Sequence, residues 1–411
     1  MSGILWAGVG PGHATGVGRM TAEFVPRIRD LGHEVVLSLF GEPAVKDGRP
    51  NPRSTWNHPG HAGIRATGTW EGMRVTGPSP AGEFRLPGRD VIWDAFGGHD
   101  PDLTIVFKDA WVLDPADYRE RNTAVWLAFD TEPLGVPDRR FFAASGARAV
   151  CVSAAGHAMA RDAGQQWGID GLSRAAYVPH GIDMDRWSPG DQQAARSLLG
   201  LPEGVFIAGI CAANIGPRKA WGEQLAAFAA YRRSDPSALL LIHAAREHPE
   251  GMNLCELAYH LGLRESPDIL HASPDDAVKF GEHTAMDDPQ MITWYRSLDV
   301  LMAASYGEGF GVPIIEAQAC GVPVIGTDCS AISEKIPPGA GWLVPGQQWW
   351  NPHHQAWWMI PDTGKLTRAL HRAARRQHWP PAKIRDHALN YDAAHVAKVY
   401  WAPVLGELLG A

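Results

Sequence analysis

Two glutamates, Glu308 and Glu316, lie eight positions apart with a glycine-containing loop, residues 309–311, between them. Pro313 suits the first turn of a helix, where a missing backbone N–H costs nothing. The sequence therefore predicts Glu308 in a loop and Glu316 about one turn inside a helix. The loop N–H groups would face outward beside the positive end of the helix dipole, where an anion or a sugar oxygen can bind. This layout favours a polyol that carries phosphates as the ligand.

Short apolar runs alternate with helical stretches along the chain, which is the pattern of parallel strands joined by right-handed crossovers. In the first half, strands are predicted at residues 4–9, 34–40, 103–107, 124–129, 147–153 and 176–179, and a helix at 16–31. Strand signals restart at 206–211 and recur at 238–242, 269–271, 300–303 and 322–326, with a helix at 221–231. The sequence predicts an α/β fold of two Rossmann-like domains.

Length and composition agree with an ordinary two-domain protein. A chain of 411 residues exceeds the size at which single cores stop growing. Its formal net charge of −8 argues against binding to a nucleic-acid backbone by bulk electrostatics. Five cysteines without a Cys-x-x-Cys pair indicate neither a disulfide framework nor a zinc ribbon, and favour a reducing setting. No apolar run is long enough to span a bilayer, and the first residues read as a strand, so we expect a soluble, cytoplasmic protein.

The apolar run 299–305, the Glu-x7-Glu loop and the stretch 317–325 stand in register. Together they resemble the donor-sugar motif of retaining nucleotide-sugar glycosyltransferases of family 4, the glycosyl transferases group 1. The segment 178–183 is similar to the interdomain strand end of that family, so the resemblance covers nearly the whole chain. It implies the GT-B fold, in which two Rossmann-like domains face each other across a deep cleft.

The resemblance also implies a role for each part of the chain. Residues 1–187 would form the acceptor-binding domain, residues 188–390 the nucleotide-sugar-binding domain, and residues 391–411, with a helix at 393–409, a segment that crosses back to the first domain. Ligands of parallel α/β sheets bind at the carboxyl ends of the strands.

Donor-binding roles follow from the same resemblance. Glu308, with the N–H groups of Gly309, Phe310 and Gly311, would hold the hydroxyls of the donor sugar, and Glu316 the two ribose hydroxyls.

The family pairs an arginine at a strand end with a lysine several residues later, to neutralise the departing pyrophosphate. Lys219 matches the lysine, whereas Asn214, a candidate donor contact, occupies the place of the arginine, so we infer that Arg218 and Lys219 share this role. A guanidinium that grips two oxygens and an ammonium that acts as a point charge complement each other. The alternative is a helix start with ordinary exposed cations. Base recognition is expected in the segment 280–284, with His283 and Thr284 as candidates.

The glycine-rich loop 8–18 follows the first predicted strand and opens a helix, where a backbone can approach a phosphate closely. Gly16 and Gly18 are the candidate donor contacts, and the alternative is a plain tight turn. His13 is a candidate acceptor contact, and the alternative is a solvated loop histidine.

On the acceptor side the chain departs from the family pattern of a histidine after a first-domain strand. The corresponding ends carry Asp109 and Asp130, which are candidates for orienting the acceptor hydroxyl or the positive sugar, or else structural caps. The stretch of about 41–92 has little periodicity, so we expect an irregular insertion that either overhangs the cleft or is a surface excursion.

A tryptophan-rich segment, 347–358, contains four of the 17 tryptophans and the pair His353 and His354. Aromatic side chains stack on sugars and also form protein interfaces. The segment is therefore interpreted as a structural latch or an oligomer contact, or as an acceptor contact. A metal role is disfavoured because no acidic or cysteine partner lies nearby in the sequence.

The functional hypothesis is a retaining, metal-independent transferase that moves a sugar from a nucleotide-diphosphate donor to an acceptor hydroxyl. No cofactor is expected, because the nucleotide sugar is a co-substrate. The acceptor is left open among saccharides, lipids, small molecules, proteins and modified nucleobases, and a homo-oligomer is left open as well. Two alternatives remain: a nucleotide-sugar epimerase or hydrolase on the same fold, and a nucleotide-sugar-binding protein with a degenerate centre.

Overall fold

The computed structural model describes residues 2–11, 16–40, 45–46, 49–50, 67–76, 84, 86–266, 268–271, 286–375 and 379–410. Contacts divide the chain into two compact units. Unit 1 comprises Met1–Asp183, His353–Ala356 and Tyr391–Ala411, and unit 2 comprises Met184–Pro352 and Trp357–Asn390.

Unit 1 is built on an eight-stranded sheet. The strands of this sheet are β1 (Gly3–Gly8), β2 (Glu34–Leu39), β5 (Thr67–Trp70), β6 (Met73–Thr76), β7 (Leu103–Phe107), β8 (Thr123–Leu127), β9 (Arg148–Cys151) and β10 (Ala176–Tyr177). A separate small sheet consists of β3 (Val45–Lys46) and β4 (Arg49–Pro50). The first helices of unit 1 are α1 (Gly16–Asp30), α2 (Arg89–Ala95), α3 (Val136–Ser145), α4 (Ala154–Trp167) and α5 (Asp170–Ser173), and 3-10 turns form at Ala110–Val112 and Pro115–Tyr118.

The strand order of this sheet is β10-β9-β8-β7-β1-β2-β6-β5. Every neighbouring pair is parallel except β5–β6, which is antiparallel. The chain therefore builds outward from β1 in one direction through β2, and then from β7 in the other. The switch of direction lies between β1 and β7.

The expectation of an irregular insertion over about 41–92 is wrong in part. Strand β6 pairs with β2 and extends the main sheet, β5 pairs with β6, and α2 begins at Arg89. The sequences of β5 and β6 mix polar and apolar residues, so neither strand reads as a short apolar run.

Unit 2 contains a six-stranded sheet in which all pairs are parallel, in the order β13-β12-β11-β14-β15-β16. A separate two-stranded sheet is formed by β17 and β18. The strands are β11 (Ile207–Cys211), β12 (Leu239–His243), β13 (Ile269–His271), β14 (Val300–Ala303), β15 (Val324–Thr327), β16 (Gly341–Val344), β17 (Gly346–Asn351) and β18 (Ala356–Pro361). The helices are α6 (Gln192–Leu198), α7 (Trp221–Arg232), α8 (Leu254–His260), α9 (Asp288–Arg296), α10 (Val312–Ala319), α11 (Ser330–Lys335), α12 (Thr363–Arg375) and α13 (Pro381–Ala388).

The large sheet of unit 2 switches direction between β11 and β14, which pair through Ala208–Val300 and Gly209–Leu301. Its strands are almost wholly buried, as expected when helices cover both faces of a parallel sheet.

The C-terminal segment forms α14 (Ala393–Val396), a π-helical turn (Ala397–Trp401) and α15 (Ala402–Leu409), which together confirm the predicted final helix. Trp401 is fully buried and lies against Trp6 and Trp126 of the unit 1 sheet, with ring centroids 5.9 and 5.1 Å away. The last segment of the chain is thus part of the core of unit 1.

None of the helices in the described ranges has the length and apolar character that a membrane crossing requires.

Candidate functional site

The candidate site of unit 2 lies at the switch point of its sheet. Arg218 and Lys219 follow β11, and Glu308 follows β14, so the adjacent pairing of these strands brings the two loops together at their carboxyl ends. Loops at such a switch point diverge from the sheet and leave a crevice in which ligands of α/β proteins bind.

Glu308 is held by three side chains in this crevice. Arg218 donates from Nη1 to Oε2 over 2.9 Å, and Lys219 donates from Nζ to Oε1 over 2.5 Å. Ser305 donates from Oγ to the same Oε1 over 2.6 Å. The side chains of Arg218, Lys219 and Glu308 are 28, 16 and 14% exposed, so the cluster is largely buried but open to solvent at one side.

Backbone hydrogen bonds fix the two loops to each other. Tyr306 donates its N–H to the carbonyl of Arg218 over 2.8 Å, and Arg218 Nη1 donates to the carbonyl of Gly307 over 2.7 Å. The hydroxyl of Tyr306 also donates to Glu223 of α7 over 2.9 Å. The cations and the carboxylate are therefore positioned by the backbone as well as by their own charges.

The electrostatics of Glu308 follow from these contacts. Burial alone would raise the pKa of the carboxyl group, but the charges of Lys219 and Arg218 and the hydrogen bonds from Lys219 and Ser305 outweigh it. The pKa of Glu308 is lowered from 4.5 to about 2. The site thus holds one carboxylate and two cations at neutral pH, which leaves a net positive charge for an anionic ligand.

The loop after Glu308 has the geometry that the sequence predicts. Helix α10 begins at Val312 with Pro313 in its first turn, and Gly311 at its N-cap has φ of +85°, a left-handed conformation that favours glycine. Phe310 is buried, and the ammonium of Lys335 lies 4.4 Å from the centre of its ring. The conformation of Gly311 and the packing of Phe310 therefore fix the loop between Glu308 and α10.

Glu316 lies inside α10, as predicted, and is 1% exposed. Its Oε2 accepts a hydrogen bond of 2.7 Å from the hydroxyl of Tyr295, a fully buried residue of α9. Burial, the nearby Cys211 and Glu316, and its hydrogen bonds to them raise the pKa of Tyr295, so this hydroxyl remains a donor. One oxygen of Glu316 is therefore engaged by the protein itself.

Asn214 is not part of this cluster. Its side-chain N–H group donates to the carbonyls of Ala245 and Met252 over 3.0 and 2.7 Å, and its Oδ1 accepts from the N–H of Met252 over 3.1 Å. With an exposed fraction of 1%, the amide of Asn214 is turned into the protein and fixes the loop at 245–252.

The remaining donor and acceptor candidates are placed as follows. Gly16 is the exposed first residue of α1, and Gly18, two residues further on, is buried. His13, His283 and Thr284 lie outside the described residues.

The structure brings Asp109 and Asp130 of unit 1 to a third carboxylate that the sequence analysis missed, Asp138 of α3. Burial, and next the negative charges of Asp109 and Asp130, raise the pKa of Asp138 to about 8, although N–H groups of Asp138 itself and of Trp111 oppose the shift. Asp138 is 6% exposed. Unit 1 therefore carries a carboxyl group that holds a proton at neutral pH beside two acidic residues.

Three residues near the candidate sites were not predicted from the sequence: Ser305, Tyr295 and Asp138. Ser305 directly ends the strand-like run that carries the sequence motif, so its place next to Glu308 could have been inferred. Tyr295 precedes Glu316 by 21 positions on another helix, and Asp138 sits in the first turn of a helix, where an acidic residue is ordinary. Neither residue is marked by any local pattern.

Among the described residues, one group could hold a metal ion: the ligand atoms of Cys255, Glu265 and His271 lie within 4.8 Å of one another. Glu265 also pairs with Arg246 over 2.5 Å, which competes with a cation. His353 and His354 lie outside this group and instead contact the ring of Trp111, at centroid distances of 5.2 and 5.7 Å.

Residues 215–351 match the family model of glycosyl transferases group 1. This range contains the two cations and both glutamates of the cluster. The part of the chain that is similar to this family therefore lies in unit 2. Glu308, Arg218 and Lys219, which meet at the switch point, all lie in the matched range.

Two curated proteins are similar to part of the chain. The chain is 32% identical over 251 residues to D-inositol 3-phosphate glycosyltransferase of Nocardia farcinica, covering 58% of this chain and 49% of the relative. It is 33% identical over 181 residues to D-inositol 3-phosphate glycosyltransferase 2 of Catenulispora acidiphila, covering 42% of this chain and 39% of the relative. The chain thus spans less than half the length of these relatives.

Solved structures resemble the chain over its whole length. HepE from Anabaena, in complex with UDP and glucose, has a TM-score of 0.67 at 16% identity and covers 99% of this chain and 100% of its own. Sucrose-phosphate synthase from Thermosynechococcus elongatus has a TM-score of 0.63 at 16% identity and covers 99 and 98%. The predicted fold is confirmed: the chain has the GT-B fold of these glycosyltransferases.

Proposed function

We propose that this chain is a retaining glycosyltransferase that moves a sugar from a uridine diphosphate donor to an acceptor hydroxyl. The observation that supports this function best is the contact of Arg218 and Lys219 with Glu308 at the switch point of unit 2. The match to glycosyl transferases group 1 and the likeness to a protein solved with UDP and glucose support the donor class.

In the proposed reaction the diphosphate of the donor lies against Arg218 and Lys219. The bond between the sugar C1 and the phosphate oxygen breaks, and the electron pair leaves with the diphosphate. The two cations stabilise the charge that develops on this leaving group, which is the largest electrostatic demand of the step. The acceptor oxygen then bonds to C1 on the face that the diphosphate vacates, and its proton passes to a phosphate oxygen.

Glu308 and the N–H groups of Gly309, Phe310 and Gly311 would hold the hydroxyls of the donor sugar. Because Glu308 is paired with both cations in the free protein, donor binding exchanges carboxylate contacts for phosphate contacts. Glu316 would bind the two ribose hydroxyls.

On unit 1 we assign Asp109 and Asp130 to orienting the acceptor hydroxyl or stabilising the positive sugar. The reaction needs no cofactor, and no metal is required because the cations of the site supply the positive charge. The five cysteines are free, so we place the reaction in the reducing environment of the cytoplasm.

The test is the release of UDP from UDP-glucose, UDP-galactose and UDP-N-acetylglucosamine by the full chain, with and without acceptor mixtures. Lys219→Met is expected to lower turnover by at least about 100-fold, because an unneutralised leaving group loses several kcal/mol of stabilisation. Lys365→Met, an exposed lysine on α12, is the matched control and should turn over like the unmodified chain.

Three results would contradict the proposal in different ways. Full turnover by Lys219→Met would refute the site. Conversion of the donor without any dependence on acceptor would identify a hydrolase or an epimerase. Binding of UDP without turnover of any donor would identify a binding protein.

A further inference from the structure

The two-stranded sheet β17–β18 differs in composition from the rest of the chain. Its residues 346–361 contain four tryptophans and no Asp, Glu, Lys or Arg, in a chain in which 20% of residues are charged. Glutamine, asparagine and histidine supply most of the polar side chains. We call residues 346–361 the tryptophan hairpin; because its strands are joined by only four residues, they run antiparallel.

One face of the tryptophan hairpin is used for attachment. Trp349 is 40% exposed and stacks on Trp358 with ring centroids 5.8 Å apart and planes 26° apart. Trp358 is 9% exposed and lies 6.2 Å from the ring of Tyr306, so the attachment of this face runs through β18. Met359 donates its N–H to the carbonyl of Tyr306 over 2.8 Å. Tyr306 precedes Glu308 by two positions, so the hairpin is fixed directly to the loop that carries this carboxylate.

The opposite face of the hairpin is exposed. Trp350 and Trp357 lie with ring centroids 4.8 Å apart at an angle of 73°, and they are 41 and 38% exposed. Gln348 shares this face because side chains two positions apart on a strand point the same way. Gln348 is exposed, and its amide has no hydrogen-bond partner within the described part of the chain.

Among the residues that the structure describes, the contacts that attach the hairpin to the rest of the protein do not involve the side chains of Trp350 and Trp357. A two-stranded sheet is marginal in water and gains from cross-strand aromatic pairs. The pair Trp349–Trp358 and the hydrogen bond of Met359 already supply such a pair and an anchor. Trp350 and Trp357 form an adjacent pair of partly exposed indoles, and contiguous exposed apolar surface of this kind is typical of binding sites.

We propose that Trp350, Trp357 and Gln348 bind a ring of a neutral saccharide, and that this saccharide is part of the acceptor. Indole faces stack on the C–H surface of sugars, and an amide donates to and accepts from hydroxyls. The absence of charge on the hairpin matches a neutral glycan and disfavours a phosphate-bearing one, which would call for arginine or lysine. A second copy of the chain is the competing occupant, and it is an outcome of the test.

The assignment of the saccharide to the acceptor rests on the proposed function. The donor is charged through its diphosphate and is expected at Arg218 and Lys219, whereas the hairpin offers no cation. Because β18 is bonded to Tyr306, a saccharide on the hairpin would lie on the element that positions Glu308. Binding of the saccharide itself can be measured without any transfer reaction.

The experiment titrates the full chain with neutral gluco-, galacto- and manno-configured trisaccharides by calorimetry, and follows indole fluorescence in parallel. At least one of these sugars is expected to bind. Trp357→Leu should weaken that binding roughly ten-fold or more, because leucine keeps apolar bulk but offers no flat ring. Trp357→Phe should stay within about three-fold of the unmodified chain, because it keeps the ring. Trp93→Leu, which changes a tryptophan of similar exposure (43%) on α2, is the matched control.

Two further measurements separate this role from a structural one. Thermal unfolding and UDP affinity of Trp357→Leu should equal those of the unmodified chain. Sedimentation should show no self-association that Trp357→Leu abolishes.

The proposal is overturned if none of the trisaccharides binds, if Leu and Phe at position 357 weaken binding equally, or if the exposed face proves to be a contact between copies. Failure of the transferase function would appear separately, as no release of UDP from any donor with saccharide binding intact. In that case the hairpin would remain a saccharide site but not an acceptor site.

Discussion

Replacing Glu308 by glutamine tests the charge arrangement of the site most directly. The amide keeps the size of the side chain but removes the negative charge that Arg218 and Lys219 share. We expect three results at pH 7: a lower free energy of unfolding, a UDP affinity that is unchanged or higher, and a turnover of UDP-sugars lowered by at least about 100-fold. The affinity for UDP should not fall, because the two cations lose a competing carboxylate and keep their own charge.

The size of the stability change follows from the pKa of Glu308. Its value falls from 4.5 to about 2 in the folded protein, which corresponds to about 3 kcal/mol at neutral pH. The pKa is lower in the folded state than in the unfolded state, so this contribution is present in full above about pH 4.5 and is lost as the pH falls through about 2. At pH 3 roughly 1 kcal/mol should remain by the same relation.

The assay is urea unfolding followed by tryptophan fluorescence at pH 7 and pH 3. Glu203→Gln, a change of an exposed glutamate in unit 2, serves as the control and should alter neither value. The difference between the unmodified chain and Glu308→Gln should shrink from about 3 to roughly 1 kcal/mol between the two pH values. A difference that is the same at both pH values, or a UDP affinity that drops ten-fold in Glu308→Gln, would refute the assignment of Glu308 as the partner of these cations.

Three further substitutions probe the elements around the two sites. Gly311→Ala should lower the free energy of unfolding by about 1 to 2 kcal/mol and reduce donor turnover, because alanine disfavours the φ of +85°. The control is Gly222→Ala, at a helical position with open space, which should not destabilise the chain. Equal thermal midpoints for the two variants would contradict a conformational requirement for glycine at position 311. Tyr295→Phe should cost about 1 to 3 kcal/mol and weaken UDP binding, because buried Glu316 loses a hydrogen bond; unchanged urea unfolding and UDP titration would show that this bond is dispensable. Asp138→Asn should flatten the pH dependence of the thermal midpoint between pH 5 and pH 8, because the raised pKa of about 8 makes the folded state lose stability as pH rises through this range; a variant as pH-dependent as the unmodified chain would exclude a buried protonated Asp138.

The strands of both sheets were largely predictable because buried parallel strands read as short apolar runs. The ranges 103–107, 269–271 and 300–303 agree with β7, β13 and β14 to the residue. Strands β5 and β6 were missed because their sequences mix polar and apolar residues and contain no continuous apolar run, unlike the comparably short β13 and β14. The tryptophan hairpin was not predicted as a pair of strands, since its adjacent tryptophans obscure the alternation that indicates a strand.

The cluster around Glu308 was predictable in its members but not in its contacts. A cation pair after one strand and a carboxylate after another indicate a phosphate and sugar site, and both groups do lie at strand ends. That Glu308 itself neutralises the cations in the free protein depends on distances of 2.5 to 2.9 Å across two loops, which sequence spacing does not encode. The same holds for Asp138, whose raised pKa arises from burial and from two carboxylates on other elements.

Sheet order explains why residues so far apart in the chain meet at all. In unit 2 the strands run from β11 to β13 on one side and from β14 to β16 on the other, so the loops after β11 and β14 leave the sheet in opposite directions. Unit 1 repeats this arrangement between β1 and β7, where the glycine-rich loop and Asp109 follow the two strands. A right-handed crossover rule forces such a divergence wherever the direction of strand addition reverses, and no other strand pair in the two large parallel arrays offers it. The reactive residues were therefore expected at these two points once the strand order was known, whichever side chains the chain carries there.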